Sequence, residues 1–298
     1  MSQSPAGDRT IRQPAPAKLN LTLHVTGKRA DGYHELDSLV AFADLRDTIS
    51  VRPAAEISLN IEGPFAEILN EEPDNLVLKA ARALAAAAGV ATGAAITLTK
   101  RLPVAGGIGG GSADAAATLR ALAELWNLDL TAPEYDGLAM ALGADVPVCL
   151  AGRAAYMAGA GERLDPAPQL PPAALVLANP MRPLSTKAVF DALGGRFGSA
   201  DRFERAPADA SELADLLATR RNNLNEPARQ CLPEIGTVLD ELSAAPGALL
   251  SRMSGSGATC FALFVGDAEA KHAVGGIAAA HADWWVRAGR LVTDVGEM

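Results

Sequence analysis

Five of the six residues from 106 to 111 are glycine (Gly106, Gly107, Gly109, Gly110 and Gly111), and a run of alanines with helical spacing starts directly after them. Neither a helix nor a strand tolerates such a run in its interior, because each glycine gives up backbone entropy and packs no side chain. The chain must leave the preceding stretch "AAITLTKRLP", which reads as a strand, turn through the glycines and enter a helix over about 111–126. A helix that begins on glycines offers unpaired N–H groups and the positive end of its dipole with no side chains in the way, which suits an anion such as phosphate. The familiar lysine is missing. Gly106 and Gly111 have the spacing of G-x-x-x-x-G-K-[ST], but Ser112 and Ala113 follow, and a G-x-G-x-x-G/A pattern counted from Gly107 and Gly109 ends on Ser112.

The rest of the chain narrows the classes of function. With 298 residues there is room for two cored domains, and the prolines Pro166, Pro168, Pro171 and Pro172 suggest a boundary, giving domains over 1–165 and 166–298. A formal net charge of −9 argues against a nucleic-acid or anionic-membrane partner, while a small anion can still find a locally positive site. Three widely spaced cysteines (Cys149, Cys231, Cys260) fit reduced thiols, and the four histidines form no metal-binding pattern, so no protein-bound metal is expected. The first residues lack the apolar stretch of a signal peptide and read as a loose tail; the expectation is a cytoplasmic protein.

Strands are expected at 17–27, on either side of a turn near Asp44 to Asp47, and at "EISLNIEG". A helix should run from Asp74 or Asn75 as cap to Gly89, and another should follow a capping box of Thr131 and Glu134 with Pro133 in its first turn. "GADVPVCLAG" reads as a turn entering a strand. Beyond the prolines come a strand at "ALVLANP", helices near 185–193, 211–221 and 227–245, a strand at 248–253, a glycine turn and strand in "SGSGATCFALFVG", a helix from Asp267, and a last strand in "WWVRAGRLVTDV". Strands and helices in this order indicate an α+β fold.

Three further segments bear on the glycine loop. "LGADVPVCL" sets Asp145 after a glycine turn in an otherwise apolar stretch. "SRMSGSGATCFALF" brings backbone close to something before a buried strand, and "PAPAKLNLTLHV" puts Lys18, a candidate for the missing cation, at the start of an early strand. Taken alone, each has a plain structural explanation: a turn residue, a hairpin turn, a solvated lysine. Together, in order over nearly the whole chain, "PAKLNLTLHVTGKRADGYHEL", "LPVAGGIGGGSADAAATL", "LGADVPVCL" and "SGSGATCFALF" resemble the GHMP kinase superfamily, whose phosphate loop lacks the P-loop lysine. "RADGYHEL" resembles the branch whose acceptor is a cytidine-diphosphate-linked sugar alcohol of non-mevalonate isoprenoid synthesis. Departures are small: Ala105 stands where glycine is common, Ile108 where leucine is, Ala113 where serine is, and 195–220 matches no motif.

The resemblance implies a two-domain GHMP kinase architecture with its active site in the cleft between the domains, and transfer of the γ-phosphoryl group of ATP to the 2-hydroxyl of the acceptor. The nucleotide would lie on Pro103, Val104, Ala105, Gly106, Gly107, Ile108, Gly109, Gly110, Gly111, Ser112 and Ala113, with Mg²⁺ carried by ATP and the Ser112 hydroxyl near phosphate or metal. Asp145 would take or orient the hydroxyl proton, and Lys18 would keep Asp145 ionised and offset charge on the transferring group. Tyr33 would stack on the base, His34 would hydrogen-bond its edge, and Asn20 would touch the acceptor. Lys100 and Arg101 face either phosphate or solvent. Two other readings stand beside this one: a GHMP kinase for a different alcohol, and a non-catalytic sensor of nucleotide or sugar. The oligomeric state is not legible in the sequence.

Overall fold

The computed structural model describes residues 9–70, 75–132, 135 and 137–298. The strands are β1 (Ile11–Asn20), β2 (His24–Lys28), β3 (His34–Ala54), β4 (Ser58–Glu62), β5 (Gly93–Thr99), β6 (Ala155–Gly159), β7 (Arg163–Pro166), β8 (Ala174–Asn179), β9 (Ala248–Met253), β10 (Cys260–Phe264) and β11 (Trp285–Val292). The helices are α1 (Ala66–Asn70), α2 (Leu76–Ala88), α3 (Gly110–Trp126), α4 (Leu138–Leu142), α5 (Val146–Ala151), α6 (Thr186–Leu193), α7 (Ala210–Ala218), α8 (Asn225–Cys231), α9 (Glu234–Ala244) and α10 (Asp267–Ala280).

The chain forms two compact units, neither of them a single stretch. The first takes the chain up to Pro16, Arg46–Val104 and Gly110–Ala151; the second takes Ala17–Leu45, Ala105–Gly109 and Gly152–Met298. This division differs from one cut at 165/166, because β1 and β3 each contribute residues to both units and Ala105–Gly109 bonds to segments of the second.

In the first unit β5 is the middle strand, parallel to β4 and antiparallel to the second half of β3 from Thr48↔Thr99 to Ala54↔Gly93. Helix α3 packs against α2 and α5. Its alanines let it come close: Ala113, Ala115, Ala116, Ala117, Leu119, Ala121 and Leu122 are all buried. Helix α2 starts where the Asn75 carboxamide oxygen accepts the Val77 N–H and ends on Gly89 in the left-handed region, as capping chemistry requires. The alternative cap Asp74 lies outside the described residues, as do Pro133 and Glu134 of the expected capping box.

In the second unit β8 lies between β11 and β10, and β9 pairs with β10, all antiparallel. β11 also pairs with β3 at Phe42 and Ala43, while β2 and β6 pair with the first half of β3. The apolar faces of these strands and of α6, α8, α9 and α10 share one core around Val176, Ile235, Val238, Cys260 and Phe264. Burial at this core leaves the Cys260 thiol well above the ordinary thiol range and inert.

Four expectations are corrected. There is no turn near Asp44 to Asp47: β3 runs through as one strand of 21 residues. The polar residues there are used without leaving the strand. Asp44 accepts the Arg290 N–H and Asp47 accepts those of Arg101 and Leu102. The strand expected at 17–27 is two strands, and the first already starts at Ile11, inside the supposed tail. The break falls at 21–23, where Leu23 bonds to the backbone of Arg221 and Asn223. "VPVCLA" is the short helix α5, its proline in the first turn where no N–H is missed, its Val146, Val148 and Cys149 buried. The helix expected over 227–245 is α8 and α9, interrupted at Leu232 and Pro233.

Candidate active site

In the second unit, β1 ends beside two glycine turns. The Lys18 N–H donates to the Ile108 carbonyl (2.8 Å) and the Thr259 N–H to the Gly106 carbonyl (3.0 Å). The Ser254 hydroxyl donates to the Gly107 carbonyl and accepts the Asn20 N–H, both at 3.1 Å. The contact is backbone on backbone. A Cβ on Gly107 (φ +73°) would lie 2.4 Å from the Gly257 carbonyl oxygen, and one on Gly255 (φ +56°) 2.7 Å from that of Gly107. Only glycine meets both the dihedral and the spacing. Beneath it, the buried Asn222 carboxamide donates to the carbonyls of Met253 and Gly255.

Lys18 is buried, not a solvated strand lysine. Its Nζ donates to Asn20 Oδ1 (2.8 Å), Asn20 Nδ2 donates to the Ser38 hydroxyl (2.7 Å), and that hydroxyl donates to the Thr22 carbonyl (2.5 Å). The relay fixes the Asn20 amide orientation and holds the ammonium in place. Arg252, buried and held below the usual guanidinium range at about 10, caps the carbonyls of Leu21, Leu217 and Arg220 around the β1–β2 break.

In the first unit the glycine segment becomes α3 at Gly110, so Ala105 to Gly109 and Gly110 to Ala113 fall in different units. A side chain on Gly111 would meet nothing, so the start of α3 is open there; Ser112 is half-buried, and Ala113 is buried. Pro103 is buried and Val104 half-buried, and Ala105 takes a left-handed backbone (φ 54°) into the turn. Asp145 is half-buried just ahead of α5, and its carbonyl accepts the Cys149 N–H at 3.2 Å.

Lys100 faces neither phosphate nor solvent. It is buried, with Nζ 2.6 Å from Asp47 Oδ2 and 2.7 Å from Asp114 Oδ2, both carboxylates also buried. Arg101 is exposed. Burial, with Asp47 nearby, pushes the Asp114 carboxyl up to about 7 despite Lys100, while the two carboxylates hold Lys100 above its ordinary value. This triad was missed from sequence. The available signal was Asp114, an acid among the alanines that open α3.

The turn joining β2 to β3 presents Tyr33, 58% exposed, with its N–H on Asp31 Oδ1. His34 stacks on Phe190 of α6 (centroids 4.6 Å apart, planes at 25°) with Phe197 edge-on at 6.3 Å. Partial burial and Lys28 hold its imidazole below the ordinary value, so the ring is neutral near pH 7. Phe190 was not legible in the sequence, lying 156 residues from His34.

The first unit thus holds a helix opening on bare glycines and a carboxylate ahead of a short helix, and the second unit holds a buried lysine. Residues 75–153 match the family model described as GHMP kinases N terminal domain, and residues 203–282 match GHMP kinases C terminal. The chain belongs to the GHMP kinases. It is 52% identical over 294 residues to the 4-diphosphocytidyl-2-C-methyl-D-erythritol kinase of Rhodospirillum rubrum, covering 99% of this chain and 96% of that one. It is 54% identical over 279 residues to the kinase of the same name from Paramagnetospirillum magneticum, covering 94% and 98%. Among solved structures, a 4-(cytidine 5'-diphospho)-2C-methyl-D-erythritol kinase is similar with a TM-score of 0.75 at 36% identity, over 95% of this chain and 99% of that one. The mevalonate kinase of L. major shares the fold alone, with a TM-score of 0.71 at 16% identity over 99% of both chains.

Proposed function

We propose that this protein transfers the γ-phosphoryl group of ATP to the 2-hydroxyl of 4-diphosphocytidyl-2-C-methyl-D-erythritol. The observation that carries this reading is that relatives half identical to it, over nearly its whole length, bear that kinase's name. Phosphoryl transfer asks a protein for positioning and charge neutralisation, and the residues here suit both. The N–H groups at the start of α3 receive phosphate, with room left at Gly111. The ammonium of Lys18, fixed by Asn20, offsets charge on the transferring group. Asp145 takes or orients the acceptor hydroxyl. GHMP kinases generally use ATP with Mg²⁺. Among the described residues no cluster of three or more His, Cys, Asp or Glu is built to hold a metal. In this reading the ion arrives with the nucleotide, and the Ser112 hydroxyl lies near phosphate or metal.

Tyr33 supplies an exposed aromatic face and the neutral His34 ring a hydrogen-bonding edge for the cytosine. Among the described residues no helix is long and apolar enough to cross a membrane.

The test is ADP release over a panel of alcohols: the cytidine compound, its uridine counterpart, mevalonate, homoserine and galactose. The cytidine compound should be used with a kcat/KM at least about a hundredfold above the uridine one, because a pocket built to bond a polar edge leaves groups unpaired against the wrong base. Stacking alone would leave the two bases nearly equal. Preference for another alcohol would overturn the substrate assignment, and no ADP release with any of them would favour a sensor.

A further inference from the structure

The chain between Leu193, where α6 ends, and Ala210, where α7 begins, holds neither helix nor strand, and it overlaps the stretch 195–220 that matches no motif. Connections this long without structure of their own are uncommon in a compact unit and usually serve a site. This one is a strap pinned twice to the strands around His34. At the first pin the Gly198 N–H donates to the Val25 carbonyl of β2 (2.8 Å). A Cβ on Gly198 would lie 3.1 Å from Asn223 Oδ1, which itself accepts the Val25 N–H. At the second pin Arg202 donates from Nε (2.9 Å) and Nη2 (2.7 Å) to Asp37 Oδ2 on β3. Its Nη2 also lies 2.8 Å from Asp165 Oδ2 on β7, and its guanidinium stands 4.6 Å over the Tyr156 ring of β6. The Tyr156 hydroxyl accepts the Phe203 N–H at 2.7 Å. Asp37 is buried, so removing its cation would strand a carboxylate away from water.

The strap carries one aromatic ring to His34. Of the four large apolar side chains exposed among the described residues, Tyr33 precedes His34 in the chain and Phe197 stands beside it at 61°. Phe190 packs on the core of its unit, so its stack with His34 is fixed from below. Phe197 lies outside that core, and its place is set by the two pins.

We propose that Phe197 is a specificity-determining residue for the base, and that Arg202 is the positioning residue that holds it against His34. A neutral imidazole has one nitrogen that donates and one that accepts. On the edge where the two bases differ, cytosine pairs an acceptor with a donor, and uracil the reverse. His34 therefore tells them apart only while its ring is kept from turning over. The stack on Phe190 is much alike for either orientation of the ring. Phe197, at an angle to it, breaks that equivalence and covers one side of the hydrogen bond from water. A strap already pinned by Arg202 supplies this contact without a further ordering cost on binding.

This inference rests on the proposed kinase function, and the two fail differently. ADP release is measured with the cytidine compound and its uridine counterpart for the intact wild type, Phe197→Ala, Phe197→Tyr, Arg202→Gln and Arg202→Lys. Phe197→Ala should lower the cytidine-over-uridine ratio of kcat/KM by about tenfold, the worth of one aromatic contact and the hydrogen bond it orients. The loss should fall on KM for the cytidine compound, with kcat and KM for ATP near wild type. Phe197→Tyr keeps the ring and should keep the ratio. Arg202→Gln should repeat the loss, and Arg202→Lys should restore much of it, because an ammonium still answers Asp37. Melting curves check that each variant is folded. Should Arg202→Gln not fold, the double variant Asp37→Asn, Arg202→Gln removes both charges of the buried pair and should show the same loss. An unchanged ratio in folded Phe197→Ala, or an equal change in kcat and in KM for ATP, would overturn the role of Phe197. An unchanged ratio in folded Arg202→Gln or in the double variant would overturn that of Arg202. Both results leave the kinase reading intact, whereas preference of the wild type for another alcohol would overturn both.

Discussion

At the scale of single residues, the site is made by giving ordinary side chains unusual surroundings. Asp145 is one carboxylate among many in an acidic chain, and its proposed role rests on its place just ahead of α5. Asp145→Asn keeps the shape and removes the charge. It should lower kcat by roughly 10²–10⁴-fold while KM for both substrates and the unfolding midpoint stay near wild type, since a group acting mainly in the transition state contributes little to ground-state binding. Steady-state kinetics decide it, and a near-normal kcat would take Asp145 out of the mechanism. Asp114 makes a separate claim on stability. Its folded value of about 7 lies above the 3.8 of a free carboxyl, so between those values the folded protein holds a proton that the unfolded chain has released. That contribution is complete below about pH 4 and is lost as pH rises through 7. Asp114→Asn should therefore gain on the wild type by roughly 1–3 kcal/mol between pH 5 and pH 8 in urea unfolding. An unchanged gap would mean that the acid does not titrate in that range.

At the scale of elements, the glycine turns are joints between backbones. Gly107 and Gly257 approach so closely that a methyl group on Gly107 would sit 2.4 Å from a carbonyl oxygen, at a dihedral that L-residues avoid. Gly107→Ala should cost about 2 kcal/mol or more in denaturant unfolding and raise KM for ATP more than for the alcohol, because the turn leads straight into α3. A variant of wild-type stability would mean the two turns can part without loss. Much at this scale was readable in advance. The capped helix α2, the strand feeding the glycines, and α6, α7 and α10 each carry a complete local signal such as a cap, a period or a terminating glycine. What misled was chemistry satisfied at long range. Asp44 and Asp47 look like turn residues until Arg290 and Lys100, 246 and 53 residues away, are seen to donate hydrogen bonds to them within a strand. α5 is only six residues long, too short for its apolar run to be told from a strand by period.

At the scale of the molecule, the second unit draws its strands from both ends of the sequence. β2 and the first half of β3 come from before residue 46, and β6 to β11 from after 154. A fragment of residues 166–298 would leave β11 without its pairing to β3, and Leu23 and Val25 missing from the core they share with Val176 and Ile235. It should lack a cooperative unfolding transition and protected amides, whereas the full chain shows both; circular dichroism and hydrogen exchange make the comparison. A fragment that folds cooperatively would mean that the second core is complete without its N-terminal strands.

The sequence by itself determined the class of the protein: Lys18, the glycine run with no following lysine, Asp145 and the second glycine turn lie in that order along the chain, and together, not singly, they carry the resemblance to the GHMP kinases. It also determined the α+β composition, because hydrophobic period and capping are properties of neighbours. Tertiary structure alone decided that Lys18 is buried and held by Asn20, that His34 rests on Phe190, and that Lys100 serves two carboxylates rather than a phosphate. The physical reason is the same in each case. Desolvation and pairing depend on which distant side chains arrive at the same place, and a charge reads alike in sequence whether water or another residue answers it.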